Sequence, residues 1–331
     1  MIFRTLLAAS AACLALSSPT SAQTPAAAPP AYSVVHGWPH MPAGYALGQV
    51  TGVGIDSHNR VFVFHRAGRV WSEPFPATKI QGPTIVAFDG ETGEVVQAWG
   101  EDLFIMPHGL EIDSADNIWV TDVALQQVFK FSPKGELLMT LGEAGVAGDD
   151  DSHFNRPTDV AVAPDGTFYV SDGYENSRVL KFSADGRLLL KWGERGTGPG
   201  QFDLPHAIDL DAQGRVYVAD RENDRVQVFD ADGRFLTQWK SEAMGRPYGV
   251  AIAPGGQGFA LVVDGGEQPE RGPDRSGAAI VDPAGAVVHR FGAYGPYDGQ
   301  FELAHDGAVG ADGAVYVVDG VGERVQKFTP R

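Results

Sequence analysis

The stretch Asp159-Val-Ala-Val-Ala-Pro-Asp-Gly-Thr-Phe-Tyr-Val-Ser-Asp172 decides the fold of this 331-residue chain. Two short apolar runs flank a Pro-Asp-Gly turn, and the second run ends in an aspartate. Asp-Gly turns between runs of alternating apolar residues indicate β-hairpins. No helical periodicity competes with this pattern. The stretch therefore predicts two antiparallel strands joined by a tight turn.

The same pattern recurs along the chain at intervals of roughly 50 residues, a spacing typical of propeller blades. There are six copies, of which the fifth is looser than the others: Gly52–Phe64, Gly109–Asp122, Asp159–Asp172, Ala207–Asp220, Gly249–Asp264 and Gly307–Asp319. A third and a fourth strand follow, as in Ser177–Phe182 and Leu188–Trp192. Repeated four-stranded antiparallel units predict an all-β, six-bladed β-propeller.

The ring also needs a closing strand. The last copy stops after its third strand, at Phe328, whereas the segment Tyr32–Trp38 resembles a fourth strand without a blade of its own. We expect this N-terminal strand to complete the last blade and to close the ring. Residues 32–331 then form one propeller domain.

Residues 1–22 resemble a secretory signal peptide. Arg4 gives a positive start, Leu6–Leu16 is apolar, and residues 20–22 are small, as a cleavage site requires. The apolar run is too short to span a bilayer. Residues 23–31 are rich in proline and alanine and are expected to be a linker. We therefore expect an exported protein, either periplasmic or secreted.

Composition narrows the class of partner. The net charge of −17 becomes near −18 once Arg4 is removed with the signal. This acidity argues against nucleic acid or an anionic membrane surface as a partner, and plain solubility explains it. Cys13 is the single cysteine, so the mature chain has no disulfide even in an oxidising compartment. We expect a soluble monomer that acts on a small molecule or a peptide.

Three histidines occupy equivalent positions in alternate copies of the repeat. His108, His206 and His305 each stand at the start of a first strand, in copies two, four and six. First strands are innermost in a propeller, so these imidazoles should face one another across the channel. Three converging imidazoles are the ligand set of a catalytic zinc site with one open position. A lone histidine is more often packed or exposed, but coincidence is a poor explanation for three in register.

Further candidates follow the second strands. Arg66, Tyr174 and Arg221 come just after the strand ends of three copies and should meet at one mouth of the channel. Arginine binds carboxylates through paired hydrogen bonds, and a tyrosine whose pKa is lowered by a metal or a cation can act as a base. Surface salt bridges would explain either arginine alone. The aspartates that end the strands are expected to be structural.

Several stretches, longer than generic repeat motifs, carry a resemblance to one known family: Gly48–Val53, Phe64–Arg66 with Val70-Trp71, Leu103–Leu110, Trp119–Leu125, His153–Val162, Val170–Tyr174 with Asn176–Arg178, Pro199–Phe202 and Ala219–Asn223. They resemble the peptidyl-α-hydroxyglycine α-amidating lyases, also called peptidylglycine amidating lyases. The resemblance covers nearly the whole mature chain, from Gly48 to Phe328.

The resemblance implies a six-bladed propeller of NHL-repeat type with zinc and calcium in its central channel. The three histidines in register would bind the zinc. The calcium would lie deeper, held by the backbone carbonyls of Val53 and Leu110 and the carboxylate of Asp306. Oxygen ligands of this kind suit calcium, whose role would be structural.

The implied reaction splits a peptide or N-acyl compound that ends in α-hydroxyglycine into an amide and glyoxylate. Zinc would act as a Lewis acid on substrate oxygens. Tyr174 would take the hydroxyl proton, Arg66 would stabilise developing negative charge, and Arg221 would hold the site or the substrate carboxylate. The sequence contains no recognisable hydroxylating monooxygenase, so a separate enzyme would supply the hydroxyglycine.

The chain departs from the family in two respects. Leu303 stands two residues before the third histidine, where the animal enzymes carry a methionine, so the role of that position and the fit of the substrate are open. Asn155 and Glu175 stand where cysteines are usual, so the family disulfide is absent. The second departure concerns stability more than chemistry.

Two alternatives stay open. A non-enzymatic NHL-repeat propeller that binds a protein or peptide would show the same repeats, because a fold does not specify a function. Such a scaffold has no need of the three histidines or of the Arg/Tyr set. A calcium-dependent lactonase or esterase is the other alternative, and it would use acidic and amide ligands instead of three histidines.

Overall fold

The protein is described by a computed structural model that covers residues 31–266 and 275–331, so the predicted signal and residues 23–30 of the linker lie outside the described residues. Within that part of the chain, the strands form six four-stranded antiparallel sheets. The helical elements there are two short 3₁₀ turns, Arg221–Asn223 and Pro254–Gly256. Neither turn has the length or the apolar character to cross a membrane. The all-β prediction is confirmed.

The strands are, in chain order, β1 Tyr32–Val34; β2 Val50–Ile55, β3 Arg60–His65, β4 Ile85–Asp89 and β5 Val95–Trp99; β6 Pro107–Ile112, β7 Ile118–Asp122, β8 Gln127–Phe131 and β9 Leu137–Leu141; β10 Pro157–Val162, β11 Phe168–Asp172, β12 Arg178–Phe182 and β13 Leu188–Trp192; β14 Pro205–Leu210, β15 Val216–Asp220, β16 Arg225–Phe229 and β17 Phe235–Trp239; β18 Pro247–Ile252, β19 Ala260–Asp264, β20 Gly277–Val281 and β21 Val287–Phe291; β22 Ala304–Val309, β23 Val315–Asp319 and β24 Arg324–Pro330. The first blade is β2–β5, and the second to fifth blades follow in groups of four.

The sixth blade closes the ring. It consists of β22, β23, β24 and β1, and Tyr32 to Val34 pair antiparallel with Pro330 to Phe328. The innermost strands β2, β6, β10, β14, β18 and β22 contact one another in this order, and β22 contacts β2. A six-bladed propeller closed by an N-terminal strand, as predicted, is confirmed.

The hydrophobic core is divided among the six seams between neighbouring blades, with one cluster in each seam. In the seam between the sixth and first blades, Val61 and Phe88 pack with Tyr316 and Val325. The second strands are buried almost throughout, whereas the outermost strands β5, β9 and β13 alternate between exposed and half-buried residues. Burial of apolar surface between blades therefore stabilises the ring.

A buried acceptor at the end of each second strand holds the lead-in segment, the residues just before the innermost strand of the same blade. In five blades the acceptor is an aspartate with no exposed surface: Asp122, Asp172, Asp220, Asp264 and Asp319. Asp122 accepts hydrogen bonds from the N–H groups of Ile105 and Met106 at 2.7 and 2.9 Å, and the other four bond equivalent segments. The structural role predicted for these aspartates is confirmed.

His65 takes the same place in the first blade. Its Nδ1 accepts hydrogen bonds from the N–H groups of Gly48 at 3.2 Å and Ala67 at 3.1 Å. Burial lowers the pKa of His65 to about 4, so the ring is neutral at pH 7 and has a lone pair for this purpose. A Cβ at Gly48 would lie 1.3 Å from the carbonyl oxygen of Ala67, so only glycine fits there.

A register shift opens the innermost strand of every blade at one equivalent position. A bulge of this kind re-aims a side chain. The six residues at these positions line one small cavity in the channel and are Thr51, His108, Thr158, His206, Tyr248 and His305. The fold thus presents six equivalent positions at one height.

Replacing Asp122 by alanine should lower the free energy of unfolding by about 3–5 kcal/mol, because buried N–H groups lose a charged acceptor. Urea unfolding of the wild type and the variant measures this loss. The matched control is Asp165→Ala, which removes an exposed turn aspartate bonded to the N–H of Thr167 and should cost less than about 1 kcal/mol. Equal losses in the two variants would contradict the role assigned to Asp122.

Candidate metal centre and active site

His108, His206 and His305 converge in the channel. Their ring centroids lie 4.8, 4.9 and 5.0 Å apart. One nitrogen of each lies within 4.8 Å of the others, a spacing that could hold one metal ion. The three residues are only 1%, 2% and 6% exposed. The convergence expected from the repeat register is therefore observed, whereas the binding of zinc stays a prediction.

Each ring is held by a hydrogen bond from its Nδ1 to a backbone carbonyl oxygen of the next blade. The three pairs are His108 with Thr158 (2.7 Å), His206 with Tyr248 (2.7 Å) and His305 with Thr51 (2.8 Å). A carbonyl can only accept, so Nδ1 carries the proton and Nε2 keeps a lone pair. A hydrogen bond of this kind sets the tautomer and orientation of a metal-binding histidine. The donor set therefore fits a metal.

The acceptors of these bonds were not predicted from the sequence. Thr51, Thr158 and Tyr248 stand at the bulge positions of the first, third and fifth blades, between the histidines. The signal that could have found them is the same repeat register that aligned the histidines. Because their backbone carbonyls act, their side-chain types carried no clue.

All three imidazoles are neutral at pH 7. Burial lowers the pKa of His305 to about 3 and holds the pKa of His108 and His206 well below the usual value. Neighbouring guanidinium groups lower all three further. Neutral imidazoles lose no proton when a metal binds. Three such ligands suit zinc.

Tyr174 lies directly beside the imidazoles, and Arg221 lies against its ring. The Tyr174 hydroxyl is 3.0 Å from Nε2 of His108 and 3.4 Å from Nε2 of His206. The guanidinium carbon of Arg221 lies 5.5 Å from the centre of the Tyr174 ring. The phenol donates to an imidazole lone pair in this arrangement, because these rings carry their proton on Nδ1.

Both arginines of the predicted set are buried cations, with exposed fractions of 5% for Arg66 and 9% for Arg221. Burial lowers the pKa of Arg66 to about 10, which leaves it charged at pH 7. Burial also acts to lower the pKa of Arg221, but Tyr174, Tyr248 and Glu222 outweigh it and raise the pKa. Arg221 pairs with the half-buried carboxylate of Glu222 at 2.9 Å, whereas Arg66 donates to the Pro107 carbonyl oxygen at 3.1 Å and to Gln49 Oε1 at 2.8 Å.

The pKa of the Tyr174 phenol lies above its ordinary value of 10.0. Burial raises the pKa, while Arg221 and Arg66 oppose the rise without cancelling it. The lowered pKa considered from the sequence is not what the protein's own groups produce, because desolvation outweighs the two cations. The phenol is therefore protonated at neutral pH under the influence of the protein alone.

A second cluster lines the channel below the histidines. Val53, Leu110 and Asp306, the residues expected at a calcium site, share one cavity of about 350 Å³. The carboxylate of Asp306 accepts a hydrogen bond from the N–H of Val53 at 3.1 Å. Three of the other acidic residues that line this cavity come from innermost strands and were not predicted as site residues: Glu111, Asp159 and Asp209. The sequence feature that could have identified them is an acidic residue within an otherwise apolar innermost strand.

The pKa values of the carboxyl groups in this cluster are raised. Burial raises the pKa of Asp209 and Asp306 to about 7, and it raises the pKa of Glu111 and Asp159 well above the usual range. Repulsion between the carboxylates adds to the rise. A cation in this cavity would favour their charged forms. The oxygen donors fit calcium, and its binding stays a prediction.

The positions that depart from the family pattern lie near the site. Leu303 is half-buried in the lead-in segment before His305, and its N–H donates to Asp319 at 2.8 Å. The N–H of Glu175 donates to the carbonyl oxygen of Asn155 at 3.4 Å. A backbone hydrogen bond thus joins the two positions where cysteines are absent.

Known proteins resemble this chain in sequence and in fold. The NHL repeat family matches residues 154–182 and 202–229. The chain is 40% identical over 312 residues to a Xenopus laevis protein named "Peptidyl-glycine alpha-amidating monooxygenase B", and the matched region covers 88% of this chain and 35% of that protein. It is 37% identical over 315 residues to the Drosophila melanogaster "Peptidyl-alpha-hydroxyglycine alpha-amidating lyase 1", covering 86% of this chain and 58% of that protein. The chain spans about a third of the length of the first curated relatives that it matches.

Solved structures agree with the fold. A gluconolactonase from Xanthomonas campestris matches with a TM-score of 0.61 at 14% identity, covering 86% of this chain and 87% of that chain. Fold and site together define a six-bladed NHL-repeat β-propeller with a buried three-histidine centre in its channel. The curated relatives specify it further. The chain belongs to the peptidyl-α-hydroxyglycine α-amidating lyase family.

The variant His206→Ala should lose high-affinity metal binding, because two imidazoles cannot complete the ligand set. After dialysis against a weak chelator, elemental analysis of the wild type should find about one zinc per chain. The control His36→Ala removes an exposed imidazole bonded to Asp298 and should keep the metal. A stoichiometric metal retained in His206→Ala would contradict the assignment of the centre.

Calcium should stabilise the chelator-treated protein more at about pH 7.5 than at about pH 5. The folded pKa values of Asp209 and Asp306 near 7 exceed the unfolded value of about 4. The folded state therefore binds more protons between these values, and the contribution of these groups to stability falls as pH rises. Calcium at about 100 times its Kd should add about 2.7 kcal/mol to the free energy of unfolding.

Urea unfolding with and without calcium, at both pH values, checks this expectation. Asp306→Asn should remove most of the calcium-dependent gain at the higher pH, whereas Asp165→Asn at an exposed turn should retain it. A calcium-dependent increase in stability that does not require Asp306 would contradict the placement of calcium in the cavity lined by Val53, Leu110 and Asp306.

Proposed function

We propose that the protein is a zinc-dependent carbon–nitrogen lyase that splits peptidyl- or N-acyl-α-hydroxyglycine into an amide and glyoxylate. One observation carries the proposal: three neutral, buried imidazoles converge beside a phenol and two buried guanidinium groups. The name of the Drosophila relative, which spells out the substrate and the lyase class, supports it.

His108, His206 and His305 would hold the metal through their Nε2 lone pairs. Zinc supplies Lewis acidity toward a substrate oxygen when it is bound. The Nδ1 hydrogen bonds to the neighbouring blades keep the three rings from turning, so that the ligand set is preorganised. The same bonds increase the basicity of the ligating nitrogens.

Arg66 and Arg221 bring positive charge to Tyr174, and both lie in surroundings with little water. The α-hydroxyglycine end of the substrate carries a carboxylate, which a guanidinium group binds through paired hydrogen bonds. The same cations stabilise the negative charge that develops on the hydroxyl oxygen as its proton leaves. Electrostatic stabilisation of this kind is strongest where water is excluded.

Tyr174 is the group that would accept the hydroxyl proton. Once the Nε2 lone pairs are engaged by a metal, the phenol is left without the acceptors that it has at 3.0 and 3.4 Å. Arg66 and Arg221 favour its ionised form against the effect of burial. Beside a bound zinc ion the pKa of the phenol would fall further, so that Tyr174 could accept the proton as the phenolate. As the proton leaves, the hydroxyl carbon becomes the aldehyde of glyoxylate, the C–N bond breaks, and the nitrogen takes up a proton to become the amide.

We also propose that the protein is exported and that a separate monooxygenase makes its hydroxyglycine substrate. The N-terminal pattern of a charged start and an apolar run supports export. The Xenopus relative is named as a monooxygenase, and this chain covers only 35% of it. That proportion supports a hydroxylating activity outside the matched region.

Purified protein with zinc should release glyoxylate from N-benzoyl-α-hydroxyglycine faster than the spontaneous reaction. Tyr174→Phe should lower kcat by about 10²–10⁴-fold, because it removes the group that transfers the proton, while its zinc content should stay at the wild-type level. Tyr297→Phe, at a tyrosine that is 75% exposed, is the matched control and should keep full activity.

A metal-replete wild type that releases no glyoxylate above the spontaneous rate would contradict the proposed lyase. The non-enzymatic, peptide-binding propeller would then explain the repeats. Full activity in Tyr174→Phe would leave the lyase intact and exclude Tyr174 as its base.

A further inference from the structure

The connection between β3 and β4, which spans residues 66–84, carries two aromatic side chains to the active site. The ring centroid of Trp71 lies 5.0 Å from that of Tyr174, whose hydroxyl reaches His108. The Phe75 ring stands edge-on to Trp71 at 4.9 Å. Trp71 and Phe75, named here the aromatic wall, therefore begin one side chain away from the imidazoles. Both residues are half-buried, so each keeps part of its surface exposed.

The inner end of the aromatic wall is fixed to the active-site arginine. The guanidinium carbon of Arg66 lies 5.1 Å from the centre of the Trp71 ring, within the range of a cation–π interaction. Gln49 Oε1 accepts one hydrogen bond from the Arg66 guanidinium at 2.8 Å and another from the backbone N–H of Trp71 at 3.1 Å. The indole is thus positioned by the same contacts that position Arg66.

The outer end of the wall is tied to the third blade by Arg156. The guanidinium carbon lies 4.6 Å from the centre of the Phe75 ring. Its two terminal nitrogens donate to the two carboxylate oxygens of Glu73 at 2.8 and 3.2 Å, and Glu175 lies 3.3 Å away. A two-point pair with a ring stacked beside it is a more persistent contact than a lone surface ion pair. The segment from the first blade is thereby held against the blade that carries Tyr174.

Polar and aromatic surfaces meet at Tyr174. The imidazoles, Arg66 and Arg221 offer nitrogen ligands and positive charge, which suit the hydroxyl and carboxylate of α-hydroxyglycine. The wall offers aromatic faces, which gain free energy by burying apolar groups and by stacking with other rings. A substrate whose acid end lies at the arginines has its acyl group on the other side of the scissile bond, where an apolar surface is needed to bind it.

We propose that the aromatic wall binds the acyl group or side chain that precedes the α-hydroxyglycine and that it selects aromatic and bulky aliphatic groups. This inference rests on the proposed lyase function and specifies the substrate class within it. Trp71 is then a specificity-determining residue, and Arg156 with Glu73 is a positioning pair that acts through Phe75.

The test compares kcat/KM for glyoxylate release from N-benzoyl-α-hydroxyglycine and from N-acetyl-α-hydroxyglycine. In the wild type the benzoyl substrate should be preferred by at least about tenfold. Trp71→Ala should reduce this ratio to within about threefold, mainly by raising KM for the benzoyl substrate. Trp71→Phe should keep most of the ratio because a ring face is retained. Tyr297→Ala, which removes an aromatic ring that is 75% exposed, should leave both rates unchanged.

The positioning pair is tested by Arg156→Gln and Glu73→Gln. Each should lower the benzoyl-to-acetyl ratio by about two- to fivefold, and the double variant should lower it no further, because all three break the same contact. Additive effects of the two substitutions would overturn the assigned pair.

The outcomes separate this inference from the proposed function. Near-equal kcat/KM values for the two substrates in the wild type would overturn the aromatic subsite and leave the lyase standing. So would a loss in Trp71→Ala that is equal for both substrates while Tm and zinc content stay at wild-type values. Failure of the wild type to release glyoxylate from either substrate would overturn the lyase function itself, and the subsite with it.

Discussion

The buried acceptor that ends each second strand determines where the innermost strand of its blade begins. A carboxylate in low-dielectric surroundings binds backbone N–H groups strongly, and Asp122 holds two of them in its lead-in segment. In the first blade the neutral ring of His65 accepts the equivalent hydrogen bond from the N–H of Gly48. Because six acceptors hold six equivalent segments, the bulge residues fall at one height. This common height lets the three histidines face one another.

The site is built from one position that recurs in all six blades and carries a histidine in every second blade. Even-numbered blades place an imidazole at the bulge, and odd-numbered blades place a carbonyl acceptor at the same height. The side chains that complete the site, Arg66, Tyr174 and Arg221, come from the ends of second strands. Nitrogen ligands lie at one level of the channel and carboxylates at another. Metals of different ligand preference can therefore be kept apart in one channel.

The fold and much of the site could be predicted, because a repeat assigns each residue to a blade and a register. This reasoning placed His305 opposite His108 across about 200 residues of chain, and it placed the closing strand at Tyr32. It did not find Glu111 or Asp209, because the apolar pattern of a strand does not show which of its acidic residues share a cavity. The direction of the Tyr174 pKa shift also escaped it. That direction depends on how desolvation compares with two nearby cations, and register carries no information on burial.

The three bonds from histidine Nδ1 to carbonyl oxygens join the blades in pairs: second to third, fourth to fifth and sixth to first. Every blade takes part once. Each imidazole keeps its orientation while the seam that its hydrogen bond crosses stays closed. The metal affinity of the centre would therefore depend on three seams at the same time. Linkage makes the relation reciprocal. A bound ion would therefore stabilise the closed ring, and a substitution deep in a seam would weaken metal binding although no ligand has changed.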